Sequence, residues 1–177
     1  EHIVLSGGGP VGFIQYGIIK YLLNIKFIEF KNIKSINATS AGCLIGIILI
    51  LNIDFSLTDD YLIYRPWHKL YNINNFTYLY IFNNKGVFNE NDFINFLKPL
   101  FLYKNININI TLKELYDITK IEFNIYTTKI EGCKKIILNH ITYPEIKLTT
   151  AIFMSCSIPF ICQPCFYNNE YYIDGGI

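Results

Sequence analysis

The feature that most constrains the fold is the stretch Ile33–Leu51, in which a turn of small residues joins two apolar segments. Ile33–Asn37 predicts a short strand, and Cys43–Leu51 predicts a buried helix because it is apolar throughout apart from one glycine. Between them, Ala38–Gly42 places Ser40 on a sharp bend with its hydroxyl exposed. The turn matches the G-x-S-x-G nucleophile elbow except at its first position, where alanine replaces glycine.

Ser40 has two interpretations. As a nucleophile, it would lie beside the N–H groups that open the following helix, which favour negative charge and can support an oxyanion. As a capping residue, it would simply begin an ordinary helix. The stretch alone leaves both interpretations open.

The composition predicts one folded domain over residues 1–177. Apolar residues make up 51% of the chain and charged residues 16%, which argues against disorder. The net charge of +1 gives no reason to expect nucleic acid as a partner. The chain starts without a methionine and stops directly after a glycine pair, so we expect it to be part of a longer protein.

The lack of a visible targeting segment and the cysteine content both favour a cytoplasmic location. The longest apolar run, Ala41–Leu51, is too short to cross a bilayer, and no signal peptide is visible. The five cysteines are odd in number and scattered, which favours a reducing compartment. The Cys162–Cys165 pair forms a CxxC motif, but no second pair or paired histidines complete a zinc site. The chain also has no EF-hand-like loop, so we expect calcium independence.

The order of elements indicates an α/β fold. A strand at Ile3–Leu5, a glycine-rich loop and a helix at Phe13–Leu23 precede the elbow strand and its helix. Asp54–Lys85 predicts irregular helices and loops, and Pro99 is expected to end or kink the helix that begins after Asn89. Further strands are predicted at Glu122–Thr128, Lys135–Leu138 and Tyr171–Ile173, and further helices at Thr111–Thr119, where a capping box begins, and Lys147–Cys156.

The glycine loop has two interpretations beyond a plain turn. Gly7-x-Gly9-x-x-Gly12 lies between a strand and a helix and satisfies the dinucleotide-binding fingerprint, with Glu29 roughly where a ribose-binding acid would fall. Alternatively, three adjacent glycines present successive N–H groups as an oxyanion hole. Copurified flavin or nicotinamide would support the first interpretation.

A serine nucleophile also needs a base. None of the three histidines, His2, His68 and His140, is singled out, although His140 follows a predicted strand. Asp174 ends the last predicted strand and precedes two glycines, which allow close approach of the backbone to a neighbouring group. An Asp-Gly pair is by itself usually a turn, so its meaning depends on the other motifs.

The three motifs together resemble the patatin-like phospholipase family, and the resemblance covers the whole chain. Gly7–Gly12 is similar to the family's oxyanion loop, Ala38–Gly42 to its nucleophile motif and Asp174–Gly176 to its dyad aspartate motif. Three less specific stretches also occur in the family's order: Lys85–Phe88, Leu112–Leu115 and Ala151–Pro159. The departure is Ala38, the smallest replacement for glycine, for which we expect the turn to survive with some crowding.

The resemblance implies a three-layer α/β fold with a central, mainly parallel sheet flanked by helices. It implies a lipid acyl hydrolase that cleaves phospholipid esters at a peripheral membrane surface without a cofactor. Ser40 would be the nucleophile and Asp174 the base, with no histidine between them. The oxyanion hole would involve Gly7, Gly8, Gly9, Gly12 and Ala41.

Two further points stay open at this level. The aromatic-rich insert Asp54–Phe82 is expected to form a lipid-facing cap, with plain core packing as the alternative. A catalytically inactive lipid-binding member of the same fold, suggested by Ala38, remains an alternative function beside the nucleotide-binding enzyme.

Overall fold

The computed structural model describes residues 1–66, 81, 83 and 85–177. Its strands are β1 (His2–Leu5), β2 (Ser35–Thr39), β3 (Glu122–Lys129), β4 (Lys134–Leu138), β5 (Cys165–Tyr167) and β6 (Glu170–Asp174). Its longer helices in these ranges are α1 (Gly12–Asn24), α2 (Ala41–Ile50), α3 (Phe55–Tyr64), α4 (Glu90–Tyr103), α5 (Leu112–Thr119) and α6 (Leu148–Cys156).

The strands form one mixed sheet in which β1 pairs with β2, β2 and β6 pair with successive parts of β3, β5 pairs with β6, and β4 pairs with β3. β1, β2 and β3 are parallel neighbours, whereas β4 and β6 run antiparallel to β3, and β5 runs antiparallel to β6. Four of these six strands, β1, β2, β3 and β5, therefore run in one direction. This confirms the predicted α/β fold with a mainly parallel sheet flanked by helices.

Helix α2 forms the centre of the core. Eight of its ten residues are buried, because a helix that is apolar on all sides must be covered on all sides. It packs on the sheet so closely that a Cβ on Gly46 would lie 3.0 Å from the Phe123 ring and 3.3 Å from the Ile36 side chain. Helix α6 lies over the same strands, since the Thr127 hydroxyl donates to the Met154 carbonyl at 3.2 Å.

Local signals predicted several boundaries correctly. Helix α5 begins at the predicted capping box: the Glu114 N–H donates to Thr111 Oγ1 at 3.1 Å, and the Thr111 N–H donates to the Glu114 carboxylate at 2.8 Å. The sequence predicts that Pro99 ends or kinks its helix, and the first of these outcomes is wrong, because α4 continues through Pro99 to Tyr103. Leu97 and Phe101, on either side of the proline, are fully buried, so packing compensates for the missing N–H.

The insert Asp54–Phe82 is described only in part. Its first third forms the regular helix α3, capped by Asp54, where the sequence predicted irregular helices and loops. α3 packs on α1: the Tyr16 hydroxyl donates to the Asp59 carboxylate at 2.7 Å, and Lys20 pairs with the same group. α3 buries Leu62 in the core and leaves Ile63 and Tyr64 exposed. Residues 67–80 and 82 of the predicted cap lie outside the described part of the chain.

None of the helices in the described ranges has both the length and the apolar character that crossing a membrane requires.

Candidate active site

The turn between β2 and α2 has the geometry of a nucleophile elbow. Ser40 adopts φ 53° and ψ −127°, a backbone conformation that L-residues rarely occupy and that is typical of strained functional positions. It holds the N-cap position of α2, yet its side chain makes no capping hydrogen bond, so capping does not explain the serine. Ala38 is 1% exposed in β2, in register with Leu5 and Ile125, so the alanine fits the strand.

Ser40 as a whole residue is only 4% exposed. The glycine loop after β1 covers it: a Cβ on Gly7 would lie 3.2 Å from the Ser40 Cβ and 3.9 Å from its Oγ. At the start of α1, a Cβ on Gly12 would lie 2.8 Å from the Ala41 Cβ. Both glycines are therefore needed for the close approach of the loop to the elbow.

The register of β3 brings the ends of β2 and β6 together. β4 occupies one edge of β3 along Ile125–Lys129. β2 and β6 each pair with β3 residues that also pair with β4, so both strands must lie on the other edge of β3. β2 runs parallel to β3 up to the pair Thr39–Tyr126, and β6 runs antiparallel to it up to the pair Asp174–Thr127. The two strands therefore point at each other, and Ser40 and Asp174 lie at their meeting ends.

The aspartate is held rigidly at this edge. A Cβ on Gly175 would lie 2.2 Å from the Tyr126 carbonyl oxygen, so only glycine fits beside β3 at this position. Asp174 is 4% exposed, its N–H donates to the Ser157 carbonyl at 3.0 Å, and its Oδ1 accepts from the Gly176 N–H at 2.7 Å. Its Oδ2 is buried and accepts no hydrogen bond from the described residues. One carboxylate oxygen is thus fixed, and the other has an open acceptor position.

The carboxylate also acts electrostatically on the elbow helix. Burial raises the pKa of the Cys43 thiol to about 12, and the negative charge of Asp174 contributes in the same direction. Cys43 lies three residues after Ser40 and donates its N–H to the Ser40 carbonyl at 2.8 Å. The charge of Asp174 therefore reaches the first turn of α2.

The glycine loop does not complete a dinucleotide site. In that fingerprint the ribose-binding acid lies at the carboxyl end of the second strand, beside the loop. Glu29 instead precedes β2, and its carboxylate pairs with Lys31 at 3.2 Å and accepts from Asn32 at 3.1 Å. Ser40 occupies the carboxyl end of β2. The nucleotide-binding interpretation therefore lacks the acidic residue on which it depended.

The two histidines in the described part of the chain lie away from the elbow. The ring of His2 shares a hydrogen bond with Ser35 at 2.8 Å at the start of β1 and β2, about 16 Å from Ser40 at the rise of an extended strand. His140 follows β4 on the opposite edge of β3 and stacks on Tyr116 with ring centroids 3.7 Å apart. His68 lies outside the described residues.

The CxxC motif holds two buried thiols. Cys162 and Cys165 are buried and free, and burial raises their thiol pKa to about 11 and about 12, so both stay protonated at neutral pH. No cluster of three or more histidine, cysteine, aspartate or glutamate residues that could hold a metal occurs in the described ranges.

One residue at the site was not singled out by the sequence. Ser155 of α6 is fully buried, and its Oγ accepts a hydrogen bond from the Ser40 N–H at 2.9 Å. The available signal was weak: Ser155 is a polar residue near the end of an otherwise apolar helix segment, AIFMSC.

A family comparison agrees with this architecture. The family model described as patatin-like phospholipase matches residues 3–177. The chain belongs to the patatin-like phospholipase family. The match includes the glycine loop, the elbow and the Asp-Gly-Gly segment, so the resemblance seen in the sequence is confirmed at the level of the family.

Two curated relatives come from viruses. The chain is 28% identical over 178 residues to probable lipid hydrolase 463L of Invertebrate iridescent virus 6, and 26% identical over 178 residues to uncharacterized protein R571 of Acanthamoeba polyphaga mimivirus. Each alignment covers 99% of this chain, and the chain spans 59% and 58% of the two relatives.

Solved structures share the fold. VipD from Legionella pneumophila superposes with a TM-score of 0.69 at 17% identity, over 100% of this chain and 46% of VipD. The type III effector protein ExoU superposes with a TM-score of 0.52 at 15% identity, over 88% of this chain and 38% of ExoU.

Proposed function

We propose that this chain is a lipid acyl hydrolase that cleaves carboxylic esters of phospholipids with a serine–aspartate dyad. The observation that carries the proposal is the head-to-head meeting of β2 and β6 on one edge of β3, at the pairs Thr39–Tyr126 and Asp174–Thr127. Membership of the patatin-like phospholipase family and the relative named a probable lipid hydrolase support the substrate class.

In the proposed reaction, Ser40 Oγ attacks the ester carbonyl carbon while its proton passes to Asp174. The tetrahedral intermediate collapses, the bond to the alcohol oxygen breaks, and the proton on Asp174 passes to that leaving oxygen. The acyl group stays on Ser40 as an ester. Water then attacks the acyl carbon while its proton passes to Asp174. The bond from that carbon to Ser40 Oγ breaks, the proton on Asp174 passes to Oγ, and the fatty acid leaves. No cofactor takes part in these steps.

The oxyanion is assigned to backbone N–H groups of the glycine loop and Ala41. The Ser40 N–H is already donated to Ser155, so it does not serve the oxyanion. Ala41 is the first residue of α2, where N–H groups have no partner within the helix. Gly8 and Gly9 have φ values of 155° and 53°, so their N–H groups can be presented in directions that other residues rarely allow.

A lipid surface is the proposed partner, because large apolar side chains are exposed in two segments that adjoin the site residues in sequence. Val11 and Phe13, directly after the glycine loop, are 58% and 46% exposed. Phe160, three residues beyond the Ser157 carbonyl that holds Asp174, is 75% exposed. Apolar groups in these positions suit contact with acyl chains at a peripheral membrane surface.

The direct test is hydrolysis of a fluorogenic phospholipid in vesicles by the purified protein, in excess EDTA, with vesicle co-sedimentation measured in parallel. We expect fatty-acid release, co-sedimentation and no need for calcium. Vesicle binding without hydrolysis would instead indicate an inactive lipid-binding member of the fold. Loss of hydrolysis in EDTA with recovery in calcium would contradict the metal-independent mechanism.

Gly8→Val is expected to lower the turnover number about a hundredfold or more, the usual scale for losing an oxyanion donor. Valine cannot adopt φ 155° without strain, so the loop must move and its N–H groups shift away from the oxyanion. Gly8 is exposed, so the fold should survive, as checked by circular dichroism.

Gly17→Ala is the matched control for Gly8→Val. Gly17 lies on the exposed side of α1, a Cβ there would meet no atom within 4 Å, and alanine favours the helix. Its turnover should equal that of the unmodified protein. A folded Gly8→Val protein with full turnover would show that the loop is only structural.

A further inference from the structure

We propose that Ser155 is a positioning residue that fixes the nucleophile elbow against the strand to which Asp174 is paired. The inference rests on the proposed function, because it assigns Ser155 a role in the turnover of Ser40. It adds a residue from α6 to a site otherwise built from the glycine loop, the elbow and the end of β6.

The hydrogen bonds of Ser155 use its full capacity. A hydroxyl offers one donor and two acceptor positions. Ser155 Oγ donates to the Tyr126 carbonyl at 2.5 Å, accepts from the Ser40 N–H at 2.9 Å and accepts from the Cys43 thiol at 3.4 Å. Since its one proton is used on Tyr126, Ser155 acts on Ser40 only as an acceptor of the backbone N–H.

The Tyr126 carbonyl, which accepts the Ser155 proton, lies at the centre of the site. Tyr126 is in register with Thr39, and the next residue, Thr127, is in register with Asp174. A Cβ on Gly175 would lie 2.2 Å from the same Tyr126 carbonyl oxygen that Ser155 binds. Ser155 therefore connects the backbone of Ser40 to the carbonyl against which the residue after Asp174 packs.

This hydrogen-bonded connection holds the backbone of Ser40 in its strained conformation. A residue held at φ 53° and ψ −127° relaxes unless its surroundings fix it, and relaxation would turn the Ser40 side chain relative to Asp174. A fixed N–H of Ser40 prevents that rotation. Displacement of a reacting group by about 1 Å can lower a rate by about a hundredfold, so a hydrogen bond to the backbone of the nucleophile can determine turnover.

The test is Ser155→Ala, measured for turnover, for labelling by a fluorophosphonate probe and for amide exchange at Ser40. We expect the turnover number and the labelling rate to fall together by about 10- to 100-fold, with KM changed by less than about threefold. The Ser40 amide should exchange faster relative to the rest of α2. Ser155→Cys keeps the volume but offers only a weak donor and acceptor, and it should give an intermediate loss.

The matched control is Thr119→Val in α5. Thr119 has the same two bonds to backbone groups, since its hydroxyl donates to the Leu115 carbonyl at 2.8 Å and accepts from the Ile121 N–H at 3.3 Å. It lies before β3, away from the elbow. Its loss should lower thermal stability and leave the turnover number and the Ser40 exchange unchanged. Equal losses of turnover in the two variants would mean that Ser155 acts through general stability alone.

The outcomes separate this proposal from the proposed function. A wild-type protein that neither hydrolyses phospholipid nor reacts with the probe contradicts the proposed function, while the exchange of the Ser40 amide still tests Ser155. If that exchange is the same in folded Ser155→Ala, or in Ser155→Cys should the alanine variant not fold, the positioning role is overturned. Faster exchange at Ser40 with undiminished labelling of an active protein overturns it as well.

Discussion

Ser40→Ala is expected to abolish phospholipid hydrolysis and fluorophosphonate labelling together. Removal of the nucleophile leaves only binding and oxyanion stabilisation, so turnover should fall by roughly 10⁴-fold or more. Ser40 is the residue at the strained bend, its hydroxyl makes no capping bond, and Gly7 lies against its side chain. Mass spectrometry of the labelled protein should locate the probe on Ser40.

Ser35→Ala is the informative control for this experiment. Ser35 is also buried in β2 and shares a hydrogen bond with His2 at 2.8 Å, so by partner chemistry alone it would be the better candidate for an activated serine. It lacks a glycine loop and a helix N-terminus beside it. We expect Ser35→Ala to keep labelling and turnover, with a modest loss of stability. Labelling that survives Ser40→Ala and disappears in Ser35→Ala would reverse the assignment.

The sequence predicts the parts of this site that depend on short-range geometry. The glycine loop, the elbow and the Asp-Gly-Gly turn each require particular residue types within a few positions, because a bend or a close approach excludes others. The capping box of α5 is local in the same sense, and its two hydrogen bonds lie within Thr111–Glu114. Such features are visible in one sequence because neighbouring residues alone determine them.

Other features depend on contacts distant in sequence. β5 has only three residues and is ordered by its pairing with β6, so no local pattern predicts it. Ser155 acts on a residue 115 positions earlier, and its meaning follows only from the packing of α6 against β3. Glu29 is a residue for which the sequence predicted a contact that the fold does not form. Its spacing from the glycine loop suggested a ribose contact, but Glu29 precedes β2 and therefore does not lie beside the loop. Spacing along the chain does not specify which end of a strand a residue reaches.

Asp174→Asn is expected to lower turnover by about 10³- to 10⁴-fold while the protein stays folded, as for loss of the group that accepts the nucleophile's proton. Asparagine can keep the bond in which the Gly176 N–H donates to Oδ1 at 2.7 Å. At the second position, however, an amide nitrogen replaces Oδ2, so a donor lies where the mechanism needs an acceptor. Thermal unfolding should therefore change little, and the measurement is the turnover number together with the rate of probe labelling.

The histidine variants decide whether the dyad acts alone. His2→Ala and His140→Ala should retain substantial turnover, since His2 bonds to Ser35 at the far end of β2 and His140 stacks on Tyr116 beyond the other edge of β3. His68→Ala completes the set, and we expect the same result. If any folded histidine variant is as inactive as Ser40→Ala, a histidine carries the proton and the site is a triad. If all three stay active and only Asp174→Asn fails, the buried Oδ2 is the remaining acceptor at the meeting ends of β2 and β6.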